Sequence, residues 1–198
     1  MNSKKRATYI GIALVILLVV VGVGYKYLST KYNKISSNKF ESQDNFVDDR
    51  PIGITKKEAI DFTVYNESGE EVKLSDYKGK KPIVVNFWAS WCPPCKYEMP
   101  FFQNATDKYS KDDIEILMVN LTDGQRETKE KAMGYMSENK FTMNTVFDED
   151  LNAAMAYRIK GVPRTLFIDR EGFIINDHMG IVDEETLNTI IDNLINNL

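Results

Sequence analysis

Apolar runs and the polar breaks between them divide the chain. Pro82–Trp88 is a nearly continuous apolar run, and Ile114–Leu121 is a second. Each reads as a strand buried on both faces. Ala59–Tyr65 alternates, Asn66–Gly69 supplies a turn, and Glu70–Leu74 reads as the return strand. Ser75–Lys81 is a charged loop. A helix is predicted from Cys92 to about Tyr109, with Pro100 inside it as a kink. Arg126–Lys140 reads as a polar helix, with Met133 and Met136 as packing residues and Glu127–Lys131 as an i,i+4 ion pair. Thr142–Phe147 reads as a short extended segment. Asp148 or Asp150 should cap a helix ending near Tyr157. Leu166–Asp169 and Phe173–Met179 form a hairpin around Glu171-Gly172. Asp183 should cap a last helix, in which Leu187, Ile190, Ile191, Leu194 and Ile195 recur at i, i+3 and i+4.

The amino-terminal end follows a different pattern. Ala7–Tyr25 is an uncharged run of nineteen residues between Arg6 and Lys26. As a helix it would span about 28 Å, close to the hydrocarbon thickness of a bilayer. Tyr25 and Tyr27 suit an interface. The rival is a cleaved signal peptide, for which Val21-Gly22-Val23-Gly24 is an imperfect cleavage site. A lipoprotein anchor is excluded, since no cysteine lies here. The reading is an uncleaved, single-pass signal anchor in the cell membrane. Lys4, Lys5 and Arg6 place the amino terminus in the cytoplasm, although Lys26, Lys31, Lys34 and Lys39 weaken the charge asymmetry. Ser29–Lys57 is polar and without period, a tether. The resulting division is a cytoplasmic tail 1–6, an anchor 7–25, a flexible linker 26–57 and an extracytoplasmic domain 58–198.

Length and charge narrow the function. The chain has 198 residues, 43% of them hydrophobic, enough for one ordinary core beside the anchor. The net charge is −4, and the basic amino-terminal cluster leaves the remainder near −7. A body that acidic is not a nucleic-acid binder by charge.

The chemistry sits in one stretch, Asn86-Phe87-Trp88-Ala89-Ser90-Trp91-Cys92-Pro93-Pro94-Cys95-Lys96-Tyr97-Glu98-Met99-Pro100. A buried strand enters it, and Cys92 stands where the helix begins. Pro93 and Pro94 fit the first turn, whose N–H groups lack intrahelical partners. Both sulfurs therefore lie near the positive end of a helix dipole, which favours thiolate. A thiolate with a partner thiol three positions on can form and then resolve a mixed disulfide. Cys92 and Cys95 are the only cysteines. With the single His178 they are too few sulfur and imidazole ligands for zinc. Haem attachment needs His after the second cysteine, where Lys96 stands. A structural disulfide closing so short a loop would contribute only about 2 kcal/mol. A peroxide-reducing cysteine is the serious rival. The peroxiredoxin motif has Thr three and Pro seven residues before the reactive cysteine, where this chain has Ala89 and Val85.

The stretch resembles the active-site strand and turn of the thioredoxin superfamily. Glu98-Met99-Pro100 resembles its membrane-anchored TlpA-like and ResA-like branch. Tyr157-Arg158-Ile159-Lys160-Gly161-Val162-Pro163-Arg164-Thr165-Leu166-Phe167-Ile168-Asp169-Arg170-Glu171-Gly172 resembles the same branch's cis-proline segment and following strand. The resemblance covers about residues 56–198. It implies an α/β thioredoxin fold, a central mixed sheet flanked by helices, with an added N-terminal β-hairpin and a central insertion. It implies Cys92 as nucleophile, Cys95 as resolving thiol and Glu98 as an active-site carboxylate, with a redox-active disulfide and neither cofactor nor metal. The buried acid that thioredoxin itself has at this strand position is replaced by Asn86, which cannot take a proton. Trp91, Pro93, Val162 and Pro163 are the expected client-binding residues, Val162 offering backbone hydrogen bonds. His178 is assigned no role.

The implied partners are disulfide-containing client proteins and a membrane electron donor of the CcdA or DsbD type. No His lies between the cysteines to stabilise the thiolate, which favours a reductant over an oxidant. Cytochrome c maturation is one implied task, and repair of oxidised methionine or of other surface proteins is equally compatible. Two alternatives remain open: a peroxiredoxin-like thiol peroxidase and a non-catalytic, membrane-tethered binding module.

Overall fold

A computed structural model describes Lys26 and residues 57–196. The expected anchor 7–25 lies outside the described residues, as does all of the linker except Lys26 and Lys57. Among the described residues no helix is long and apolar enough to cross a membrane. The chain divides into two units, Met1–Gly53 and Ile54–Leu198. The second is built on one eight-stranded sheet.

Its strands are β1 (Lys57–Glu58), β2 (Thr63–Tyr65), β3 (Glu71–Lys73), β4 (Ile83–Trp88), β5 (Glu115–Asn120), β6 (Asn144–Phe147), β7 (Arg164–Ile168) and β8 (Phe173–Met179). Their order across the sheet is β1-β8-β7-β4-β5-β6-β2-β3. β4, β5 and β6 run parallel, while β7, β8, β1, β2 and β3 join antiparallel, so the sheet is mixed. The helices are α1 (Pro93–Lys108), α2 (Lys129–Glu138), α3 (Asn152–Ala156) and α4 (Glu184–Asn196).

The two faces of β4 explain the layers. Alternate side chains point to opposite faces of a strand. Val84 and Trp88 join a core with Met99 and Phe102 of α1, Ala132 and Met136 of α2, and Leu187, Ile191 and Leu194 of α4. Ile83, Val85 and Phe87 join a second core with Phe62, Val64, Ala153, Tyr157 and Leu166. Every residue of β4 is buried, as its apolar run predicts. Asn86 shares the face of Val84 and Trp88, and that face looks onto α1.

Several elements differ from their sequence expectation. The first hairpin is shorter than 59–74, because Phe62 N–H is held by the Asp61 carboxylate and the chain is extended only from Thr63. Lys57 and Glu58 pair with β8 instead. The helix expected over 126–140 begins at Lys129, with Thr128 as its cap. Glu127 therefore precedes the helix and forms no pair with Lys131, whose Nζ binds the carbonyls of Gln125 and Arg126. Asp148 caps α3 from a distance, accepting the N–H groups of Ala153 and Ala154, whereas Asp150 accepts from the Tyr65 hydroxyl. Asp183 caps α4 through the Thr186 N–H and hydroxyl. Gly172, between β7 and β8, has φ +89°, a conformation that costs a side-chain-bearing residue strain.

Candidate active site

Cys92 is the N-cap of α1, with extended backbone, and Pro93 opens the helix. Its own N–H is held by the Ala89 carbonyl at 3.1 Å. Cys92 and Cys95 are joined as a disulfide, and the Cys95 N–H points at Cys92 Sγ at 3.2 Å. On reduction the same N–H faces a Cys92 thiolate, and a donor aimed at the charged form favours it. Cys92 retains slight exposure, whereas Cys95 is fully buried.

The Val162–Pro163 bond is cis, and the Val162 carbonyl lies 3.5 Å from Cys92 Sγ. That segment is held from behind. Arg164 forms two 2.7 Å bonds to the Asp177 carboxylate and a third to the Tyr157 carbonyl. The Pro163 carbonyl accepts the Gly180 N–H at 3.0 Å. Trp91 is 37% exposed and Pro93 is exposed, so both form open rim beside the sulfurs, while Trp88 is buried. The His178 ring Nε2 lies 2.8 Å from the Ile181 carbonyl.

Glu98 lies one turn along α1 from Cys95 and is 1% exposed. It is not a surface carboxylate. Oε1 accepts from Asn86 Nδ2 at 2.8 Å, and Oε2 accepts from the Val182 N–H at 2.9 Å. Asn86 Nδ2 also donates to Thr165 Oγ1 at 3.0 Å. Burial disfavours the charged carboxylate and pushes its pKa up to about 7, against the two hydrogen bonds that favour ionisation. A proton acceptor near neutrality thus sits one helical turn from the buried sulfur.

A second buried carboxylate was not legible as a site residue. Glu127 has no exposed surface. It accepts the Ser90 N–H and the Ser90 hydroxyl at 2.7 Å each, and Asn120 Nδ2 at 2.8 Å. It ties the loop before α2 to the turn that carries Trp91 and Cys92. Asp123 shapes that loop by accepting the N–H groups of Gln125 and Glu127. Arg126 then lies over Trp91, its guanidinium carbon 3.4 Å from a ring centroid. Among the described residues no three His, Cys, Asp or Glu side chains converge as a metal site.

Comparison with known proteins agrees with this geometry. The model of the AhpC/TSA family matches residues 55–179. The thiol-disulfide oxidoreductase ResA of Halalkalibacterium halodurans is 28% identical over 193 residues, 97% of either chain. The thioredoxin-like protein YneN of Bacillus subtilis is 30% identical over 145 residues, 72% of this chain and 82% of that one. The crystal structure of StoA from Bacillus subtilis superposes with a TM-score of 0.58 at 27% identity, covering 66% of this chain and 96% of the other. The chain belongs to the AhpC/TSA family, among its thioredoxin-like thiol-disulfide oxidoreductases.

Proposed function

We propose that the protein is a membrane-anchored, extracytoplasmic reductase of disulfides in client proteins. The observation that carries this reading is the Cys92–Cys95 pair at the start of α1 beside the Val162 carbonyl, with the buried Glu98 one turn further along the same helix. Reduced Cys92, as thiolate, attacks one client sulfur, and the other client sulfur leaves and takes a proton. Cys95 then loses its proton and attacks Cys92 Sγ, which releases the second client thiol. The first client thiolate is protonated from solvent and the second by the proton that Cys95 gave up, so the client gains two electrons and two protons in net and the enzyme ends as its Cys92–Cys95 disulfide. Glu98, poised near neutrality, serves as acceptor for the Cys95 proton. Val162 pairs with the client backbone in extended form, and Trp91 and Pro93 line the approach.

Membrane attachment rests on the uncharged run Ala7–Tyr25. A reductase outside the cytoplasm needs electrons delivered across the membrane, which a CcdA- or DsbD-type donor would supply to the oxidised pair. Apocytochrome c cysteines are one client class of suitable chemistry. A peroxidase reading has the family's AhpC/TSA description in its favour. The two are separated by mixing the reduced protein with a disulfide-containing protein and, separately, with hydrogen peroxide. Stoichiometric client reduction with slow peroxide consumption supports the reductase. Rapid peroxide consumption without client reduction replaces it.

A further inference from the structure

We propose that Arg126 makes the site selective for clients carrying an acidic residue beside the target cystine. The proposal deepens the reductase reading and rests on it.

Arg126 lies at the mouth of the site. Its guanidinium stacks 3.4 Å over Trp91, the residue before Cys92. The stack is held in place, because the next residue, Glu127, is buried and hydrogen-bonded to Ser90. Arg126 is exposed, and among the described residues it has no ion pair within 4.0 Å. The neighbouring Asp123 carboxylate is already engaged by the N–H groups of Gln125 and Glu127. A guanidinium stacked by its face keeps its N–H edge free, and that edge matches a carboxylate in bidentate geometry. The stack also fixes the side chain beforehand, so less rotamer freedom is lost on binding.

Beside the Asp123 carboxylate, two further cations flank the reactive segments in sequence. Lys96 follows Cys95 directly and is exposed, its ammonium 4.8 Å from the Tyr135 ring centroid. Lys160 is exposed two residues before Val162. Neither is in an ion pair among the described residues. The chain as a whole carries −4. Arg126 on Trp91, with Lys96 next to Cys95 and Lys160 two residues before Val162 in sequence, thus sets cations on the segments that form the site, on a protein of opposite net charge. Charges at the rim of an interface mainly govern encounter rate and partner choice.

The test uses the full-length chain, reduced beforehand, in nonionic detergent. Three synthetic peptides share one intramolecular disulfide and differ only in a flanking Glu, Gln or Lys. Single-turnover reduction is followed for each, with neutral hydroxyethyl disulfide as the uncharged reference. The Glu peptide should react about fivefold faster than the Gln peptide, which corresponds to one exposed ion pair. The Lys peptide should react slowest, and the spread should narrow in high salt. Arg126→Gln should bring the Glu/Gln ratio near one, and Arg126→Glu should invert the order. The ratio is the readout, so a variant that lowers every rate still reports on selectivity. Equal rates for all three peptides on the native protein, or a ratio unchanged in Arg126→Gln, overturn the proposal while the reductase reading stands. Failure to reduce any peptide or the neutral disulfide overturns both.

Discussion

Asn86 Nδ2 donates a 2.8 Å hydrogen bond to Glu98 Oε1, joining the central strand β4 to the active-site helix one turn after Cys95. Asn86 cannot exchange a proton, so it can only hold the carboxylate. The bond favours the charged form and partly offsets the burial that pushes the Glu98 pKa to about 7. Asn86→Ala should therefore raise that pKa further. Carboxyl titration by NMR in the oxidised protein measures the shift, and a lower value would contradict the arrangement.

Glu98 should also make the oxidised protein's stability depend on pH. Its folded-state pKa of about 7 lies above the ordinary 4.5. The folded state then binds the proton more tightly than the unfolded one. The contribution is fully present below about pH 4.5 and is lost as pH rises through about 7. The gap is worth roughly 3 kcal/mol at most. Glu98→Gln removes this group alone, and other carboxylates cancel in the comparison. Denaturant unfolding of both proteins from pH 4 to 8 should show their stability difference shifting against the wild type as pH rises.

The same carboxylate should tune the thiols. A negative charge one turn from Cys95 disfavours a thiolate, whereas the helix N-terminus favours it. Glu98→Gln should lower at least one thiol pKa, and the pair titrates as a coupled system. The thiolate-bearing reduced state gains stability, so the reduction potential should rise. Superimposable thiolate-absorbance curves for the two proteins would remove Glu98 from the chemistry.

Glu127 satisfies three donors, the part-buried Ser90 N–H and hydroxyl and the fully buried Asn120 Nδ2. Glu127→Ala leaves the Ser90 N–H and Asn120 Nδ2 without their acceptor. A loss of about 2–4 kcal/mol is expected. Glu127→Gln keeps an acceptor oxygen and should recover part of it. Thermal unfolding of both variants, with Glu127→Ala the less stable, checks the ordering.

The site was unevenly legible in the sequence. Cys92, Pro93, Cys95 and Glu98 lie within one short run, where spacing fixes their relation on a helix. Their neighbourhood to Val162 and Pro163 depends on β7 returning beside β4, a pairing 79 residues apart at Asn86 and Thr165. It was read from resemblance rather than from pattern. For Glu127 the sequence pattern and the structure part for a physical reason. Its spacing from Lys131 fits a helical ion pair, but Thr128 caps the helix one residue later and turns the carboxylate inward. β1 was missed because two residues carry no period, and its pairing with β8 is purely tertiary.

The uncharged run Ala7–Tyr25 predicts that the protein stays in the membrane fraction after an alkaline carbonate wash, with its domain open to external protease. A soluble form beginning near Tyr25 would show a cleaved signal instead.

The central claim is that Cys92 attacks client disulfides and Cys95 resolves the product. Cys95→Ser should leave Cys92 able to attack and unable to resolve. Expressed in cells and analysed by non-reducing electrophoresis and mass spectrometry, this variant should accumulate mixed disulfides through Cys92 to client cysteines, and Cys92→Ser should accumulate none. Adducts formed through Cys95 in the Cys92→Ser protein, or no adducts in either, would contradict the account.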